Sequence, residues 1–494
     1  MKNRLSILHV SSEVAPYAKT GGLADVVGSL PAAQSSLDHD VRVILPFYRV
    51  VGEGNFEVRK VISKFEVPIS GTIKEGELFE AESDRNVKVY CVRQDTYFDR
   101  AHLYGTPEGD YPDNAERFAF LCRSLLPVCD ALDLKPDIIH CHDWQTGLIP
   151  SYVRTLWSDE ILFANTSCCY TIHNLAYQGL FPREVMALIG LPDEEFTAAG
   201  VEFWGRINFM KAGINYSDVI TTVSPKYSRE IQTPEYGYGL DSVLRERSED
   251  LFGILNGIDT DVWDPENDRF LKANYSVHDL SGKKKCKDDI LETFKVNIDS
   301  SKAPLFGVIS RLADQKGFDL LAEIMDDLMT LDVGLVLLGT GDQRYQDMFQ
   351  KIAVRYPGKM GVRIAFDNAL AHKIEAGCDV FLMPSKYEPC GLNQMYSLRY
   401  GTVPLVRATG GLDDTVEHYD PRTGRGNGFK FYDYAADELF KKIREAIEFY
   451  HDREAWSHLM RNAMQTDFSW ARSARRYLEI YENTIEKRMK GVSQ

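Results

Sequence analysis

Lys19-Thr20-Gly21-Gly22-Leu23 stands where a short apolar run, Leu5 to Val10, gives way to a helical pattern. The run reads as a buried strand. Beyond it Leu23, Val26, Val27 and Leu30 recur at helical spacing, which predicts a helix over residues 22 to about 36. Two glycines at such a junction let backbone N–H groups come close to a ligand. The helix start adds partial positive charge and Lys19 a whole one, a combination suited to an anion such as a phosphate. A strand-to-helix turn that needs glycine only for its shape gives the same letters.

The chain repeats the device. Thr20 to Val27 reads TGGLADVV and Thr409 to Val416 reads TGGLDDTV, six identities in eight. Each copy follows a strand and opens a helix. Around the first copy, Val41–Leu45, Val87–Val92, Asp137–His140, Cys169–Ile172 and Val219–Val223 read as strands, and Glu116 to Asp130 as one helix. Residues 46–86, rich in Gly and Glu, are expected to hold excursions from the sheet. Around the second copy, Leu305–Ile309, Leu335–Leu338, Val362–Ala365, Val380–Met383 and Val403–Val406 repeat the strand–helix alternation. Such alternation implies two mainly parallel sheets covered on both faces. The turn Asn256-Gly257-Ile258-Asp259 marks the boundary, giving domains at 1–255 and 256–468. A last helix over 469–494 carries Trp470, Ala474, Leu478, Tyr481 and Ile485 on one stripe and is expected to pack back on the first domain.

Length and composition narrow the function. With 494 residues the chain is long enough for two or three cores. Its net charge of −16 argues against coating nucleic acid or an anionic membrane, so an anionic ligand needs a local basic pocket. Nine scattered cysteines follow no disulfide or zinc spacing and suit a reducing cytoplasm. Residues 1–13 make a poor signal peptide, and no run of about 18 apolar residues offers a membrane span.

Several residues carry chemistry. Arg311 and Lys316, in a loop closed by Gly317 after a strand, can converge on one diphosphate or form an ordinary solvated pair. Glu388 precedes a helix that starts near Leu392; it either caps that helix or accepts hydrogen bonds from sugar hydroxyls, while N–H groups of Gly391 to Asn393 could hold phosphate. His173, at a strand end beside Asn174, is a structural histidine or a site residue. His140-Cys141-His142-Asp143 resembles a metal site only superficially, and no zinc is assigned. Asp259-Thr260-Asp261 has the Asp-x-Asp form of some metal-using sugar transferases but reads here as turn chemistry. No nucleophile elbow, Walker loop or dinucleotide fingerprint is present.

In order, KTGGLADV (19–26), HDWQTGL (142–148), YTIHNLAYQG (170–179), NGID (256–259), SRLADQKG (310–317), EPCGLNQ (388–394) and TGGLDDTV (409–416) resemble the bacterial glycogen synthase and plant starch synthase family. These are retaining glucosyltransferases, and the resemblance covers nearly the whole chain. It implies an α/β fold of the GT-B type, two Rossmann-like domains facing across a deep cleft, acting on ADP-glucose and glycogen or another α-glucan. It implies that Lys19, Gly21 and Gly22 hold the donor diphosphate from the first domain, and Arg311 and Lys316 from the second. Asp143 and His173 would flank the glucose and its anomeric carbon, and Glu388 would bind sugar hydroxyls or stabilise developing positive charge. Asn256, Cys390, Gly391, Leu392, Asn393, Thr409 and Gly410 would line the substrate site, with Glu13 near the acceptor. No metal or other cofactor is implied, since cationic side chains would do that work. Many retaining enzymes of the wider class carry a second glutamate eight residues after the first; here that position is Tyr396. UDP-glucose as donor, and a non-catalytic glucan-binding protein on the same fold, are the alternatives. The absence of a starch-binding module and a transit peptide favours a cytoplasmic, bacterial-type enzyme.

Overall fold

Ser6–Val10 lies between two parallel neighbours, with Ile7 opposite Ile138 on one side and Val41 on the other. It is the centre of the first of two α/β units in the computed structural model, which describes residues 4–83, 85–106 and 108–492. The first unit comprises Met1–Gly257 with Trp470–Gln494, and the second Ile258–Ser469.

The first unit is built on a nine-stranded sheet. From one edge the strands run Leu251–Gly253, Val219–Thr222, Ser167–Ile172, Ile138–His142, Ser6–Val10, Asp40–Pro46, Lys88–Arg93, Thr72–Ala81 and Val58–Ile69. All pair in parallel except Thr72–Ala81, antiparallel to both neighbours. Two differences from the sequence reading follow. Within residues 46–86 only part leaves the sheet, as the short helix Arg49–Glu53, while Val58–Ile69 and Thr72–Ala81 extend it as a hairpin cross-linked by Arg59–Glu80, Lys60–Glu77 and Lys64–Glu75 ion pairs. Those charges hid its strands from a search for apolar runs. The helix expected over 116–130 is two helices, Asn114–Arg123 and Leu125–Ala131. Pro127 has no N–H for the Arg123 carbonyl, which breaks the ladder there.

Gly22–Ser35 is the helix that follows the glycine turn, with Leu23, Val26, Val27 and Leu30 buried. Trp470–Val492 lies beside it. Trp470, Ala474, Tyr477, Leu478 and Tyr481 share a core with Leu5, Ile7, Val26, Leu30, Val41, Ile138 and Val219. At about 1.5–3 kcal/mol for each large apolar side chain, that stripe fastens the returning helix to this sheet.

The second unit has a six-stranded, all-parallel sheet in the order Met360–Ile364, Gly334–Gly339, Leu305–Ile309, Val380–Met383, Val403–Arg407, Phe429–Phe431. Strand residues buried on both faces explain the continuous apolar runs of its sequence. All nine cysteines are buried free thiols. Among the described residues no helix is long and apolar enough to cross a membrane.

Candidate active site

Each sheet reverses its direction of growth beside its first strand. In the first unit the chain moves outward from Ser6–Val10 through Asp40–Pro46 and returns to place Ile138–His142 on the other side. In the second, Leu305–Ile309 separates Gly334–Gly339 from Val380–Met383. Loops at the carboxyl ends diverge at such a point and leave a crevice for ligand. Every candidate residue lies in a loop after one of these sheets' strands or at the start of the next helix, Asn256 following the edge strand Leu251–Gly253.

In the first unit, Glu13 organises the glycine turn. Its carboxylate accepts from the Thr20 N–H at 2.5 Å, the Gly21 N–H at 3.2 Å, the Thr20 hydroxyl at 2.6 Å and the Tyr104 hydroxyl at 2.7 Å. The Gly21 N–H expected to face a phosphate is therefore bonded to the chain's own carboxylate. Glu13 is buried and supports the loop rather than presenting its oxygens outward. Lys19 stays about one-third exposed, its Nζ 2.6 Å from Asp25 Oδ1.

Asp143 ties the next two strand ends together. Its N–H donates to the Thr171 carbonyl, and its Oδ1 accepts from the His173 N–H at 2.7 Å and more weakly from Asn174. The residue holds φ at +55°, a strained conformation of the kind found at functional sites. Burial pushes its carboxyl up to about 7 against the pull of the two N–H donors, with the Glu13 charge adding to the rise. Burial likewise drives the His173 imidazole down to about 3, so it is neutral at pH 7. Asn256 is buried, and its Oδ1 meets no hydrogen-bond partner among the described residues.

In the second unit the loops after the two central strands lock together. Lys386 N–H donates to the Gln315 carbonyl at 2.8 Å, and Gln315 Nε2 to the Tyr387 carbonyl at 3.2 Å. Gly317, at φ +72°, makes this possible, since a Cβ there would lie 1.9 Å from the Pro384 carbonyl oxygen. Lys316 Nζ thereby reaches Glu388 Oε2 at 2.6 Å, and the Ser385 hydroxyl donates to the same oxygen at 3.1 Å. Arg311 is exposed. Asn393 Nδ2 donates to the Ile309 carbonyl at 2.6 Å, fixing the start of the helix Asn393–Arg399. The second glycine turn closes underneath: Gly411 N–H donates to the Glu388 carbonyl at 3.1 Å, and Thr409 and Cys390 are buried. Lys316, Glu388, Cys390 to Asn393, Thr409 and Gly410 thus belong to one neighbourhood.

The starch synthase catalytic domain model matches residues 6–246, and the glycosyl transferases group 1 model residues 289–463. A glycogen synthase of Koribacter versatilis is 48% identical over 98% of this chain and 99% of its own length, and one of Thermotoga maritima 45% over 98% and 99%. The chain belongs to the glycogen synthase and starch synthase family. Among solved structures of that family, the catalytic domain of starch synthase IV from Arabidopsis thaliana, bound to ADP and acarbose, aligns with a TM-score of 0.92 at 34% identity, covering 98% of this chain and all of that one. Sucrose-phosphate synthase from Thermosynechococcus elongatus, at a TM-score of 0.60 and 15% identity, shares the fold alone. The two parallel-sheet units are those of a GT-B glycosyltransferase, and this family member is a glucosyltransferase.

Sequence reasoning missed what surrounds the family's motifs. Tyr104 and Ser385 give no local signal of their bonds to Glu13 and Glu388. His9, His140 and His142 bring ring nitrogens to within 4.8 Å of one another, a grouping that unites sequence positions 131 or more residues apart with a pair two apart. Asp259 Oδ1 accepts from the N–H groups of Asp261 and Val262 at 3.1 and 3.3 Å, the geometry of an Asx turn.

Proposed function

We propose that this glucosyltransferase moves glucose, with retention of configuration, from ADP-glucose to the 4-hydroxyl at the non-reducing end of glycogen or a similar α-1,4-glucan. The observation that carries the reading is the full-length likeness to glycogen synthases. The ADP and acarbose named with the starch synthase IV structure support a nucleotide donor and a glucan acceptor.

Breaking the anomeric C–O bond leaves positive charge on the sugar and negative charge on the departing diphosphate. Arg311 and Lys316 are assigned to that diphosphate, where preset cations lower the barrier. Lys19 is assigned a donor phosphate and would exchange Asp25 for it. When Lys316 turns to phosphate, Glu388 is released to accept from sugar hydroxyls. Asp143 and His173 are assigned to the glucose around its anomeric carbon, and the open Oδ1 of Asn256 to a donor group. Retention places the acceptor on the face the leaving group vacates. A diphosphate oxygen can then take the acceptor hydroxyl's proton as the new C–O bond forms, so no enzyme base and no metal are needed.

The test is incorporation of labelled glucose into glycogen from ADP-glucose and UDP-glucose in parallel, with and without primer and chelator. The expected result is primer-dependent incorporation from ADP-glucose, unchanged by chelator. Preference for UDP-glucose overturns the donor assignment, and glycogen binding without incorporation from either donor makes the chain a glucan-binding relative.

A further inference from the structure

Four histidines meet on one face of the first sheet, and the catalytic reading above uses only His173. His9 stands directly opposite His140, and His142 opposite Thr171. Residues two apart on a strand share a face, so His140 and His142 point the same way. The helix Gly22–Ser35 contributes Gln34 to this face, and Trp470–Val492 contributes Tyr481.

Hydrogen bonds run in a line from that helix to the site. Gln34 Oε1 is 2.8 Å from His9 Nε2, His9 Nδ1 is 3.0 Å from His142 Nε2, and His142 Nδ1 is 3.0 Å from His173 Nε2. His9 and His142 each spend both ring nitrogens in the line. Burial lowers His9 to about 4 and His142 well below its ordinary range, and His173 follows them, so all three rings are neutral near pH 7.

A neutral imidazole has one N–H and one lone pair, so a row of them has a direction. Gln34 supplies it. Its Nε2 donates to the Tyr481 hydroxyl at 3.3 Å, which turns its oxygen, able only to accept, toward His9. His9 then carries its proton on Nε2 and accepts at Nδ1. His142 must donate from Nε2 and accept at Nδ1. His173 donates from Nε2 and keeps a bare Nδ1. A second branch is consistent: the Tyr481 hydroxyl donates to His140 Nδ1 at 2.6 Å, and His140 Nε2–H donates to Thr171 Oγ1 at 2.5 Å.

We propose that Gln34, His9 and His142 are positioning residues that hold His173 as its Nε2–H tautomer, leaving Nδ1 as an acceptor for a hydroxyl of the bound sugar. The proposal rests on the assignment of His173 to the sugar site. Its two halves separate in one experiment. The deuterated full-length protein with 15N-labelled histidine gives two-bond 1H–15N correlations that distinguish protonated from bare ring nitrogens, with His173→Ala assigning the signals. His9, His142 and His173 should each show a protonated Nε2 and a bare Nδ1. A protonated Nδ1 on His173, or averaging over both tautomers, overturns the relay.

Gln34→Met removes the oxygen at little change in volume. His173 should then average over both tautomers, with kcat down about 10- to 100-fold and donor KM within about two-fold. Gln34→Glu, which keeps an acceptor facing His9, should restore the single tautomer and most of kcat. An unchanged His173 signal in Gln34→Met overturns the relay. A changed signal with unchanged kcat overturns the role of His173 and leaves the relay standing.

Discussion

Lys316 Nζ and Glu388 Oε2 are 2.6 Å apart, with side-chain exposures of 20% and 7%. The resemblance gives these residues separate tasks, one on phosphate and one on sugar; in the structure they answer each other's charge. A charge-assisted hydrogen bond contributes about 1.5–3 kcal/mol, so Lys316→Ala should cut kcat/KM for donor by about 10- to 100-fold. Glu388→Ala should cut kcat more deeply while glycogen binding survives. Because the two side chains are each other's partner, the double variant should be less impaired than the product of the singles, by at least ~1 kcal/mol of coupling. Steady-state kinetics on the four proteins measures it, and strict additivity would show that the pair acts on nothing in common.

The two near-identical TGG turns differ in what surrounds them. A Cβ on Gly410, at φ +46°, would lie 1.9 Å from the Glu388 carbonyl oxygen, and one on Gly411 2.2 Å from that of Cys390. A Cβ on Gly21 would meet nothing within 4 Å. Gly410→Ala should therefore displace the Glu388 loop and abolish most activity, with loss of stability on the order of 1–3 kcal/mol from the backbone strain. Gly21→Ala should leave the melting temperature unchanged. Any activity it loses reports a ligand approaching that open side, which a donor KM measurement reads directly.

Lys19 is held by Asp25 at 2.6 Å, a pair about one-third exposed that contributes little to stability. Lys19→Ala should accordingly leave the fold intact and raise donor KM by about 10- to 100-fold, the value of one charge-assisted phosphate contact. An unchanged KM would remove Lys19 from the phosphate site.

The strand–turn–helix at 5–36 and the apolar strands of the second unit were legible because strands buried on both faces are continuous apolar runs, here short and bounded by turn residues. The hairpin Val58–Ala81 was not: one of its faces is solvated, and its charges pair across strands rather than along the chain. The same limit governs the site. Glu388 and Lys316 could be singled out by motif, but their bond spans 72 residues and depends on Gly317 letting two loops touch. The occupation of the Gly21 N–H by Glu13 follows from a fold-back of eight residues that no periodicity encodes. His140 and His142 carried a visible signal, alternation on one strand face, yet their partners His9, Gln34 and Tyr481 arrive from three other elements.

Asp143 and the buried histidines give the first unit opposing responses to pH. His9 and His173 have folded-state values of about 4 and 3, below the ordinary 6.5. The unfolded chain therefore binds more protons in that interval, and their contribution, full above 6.5, is lost as pH falls toward 4. Asp143 runs the other way: with its value raised from 3.8 to about 7, the folded state binds more protons, and stability is lost as pH rises across that window. His140 and His142 are depressed by burial as well, so histidines outnumber the one carboxyl. At up to roughly 1.4 kcal/mol per group and pH unit, the first unit should lose several kcal/mol between pH 6.5 and 5. Amide exchange on Ile138–His142 and Ser167–Ile172 reads that loss locally. Asp143→Asn, which keeps an acceptor for the His173 N–H without a charge to bury, should raise stability at pH 7.5 and leave the acid loss in place. If Asp143 also serves the sugar, the same variant should lower kcat while the melting temperature rises; a fall in both would assign Asp143 to the fold alone.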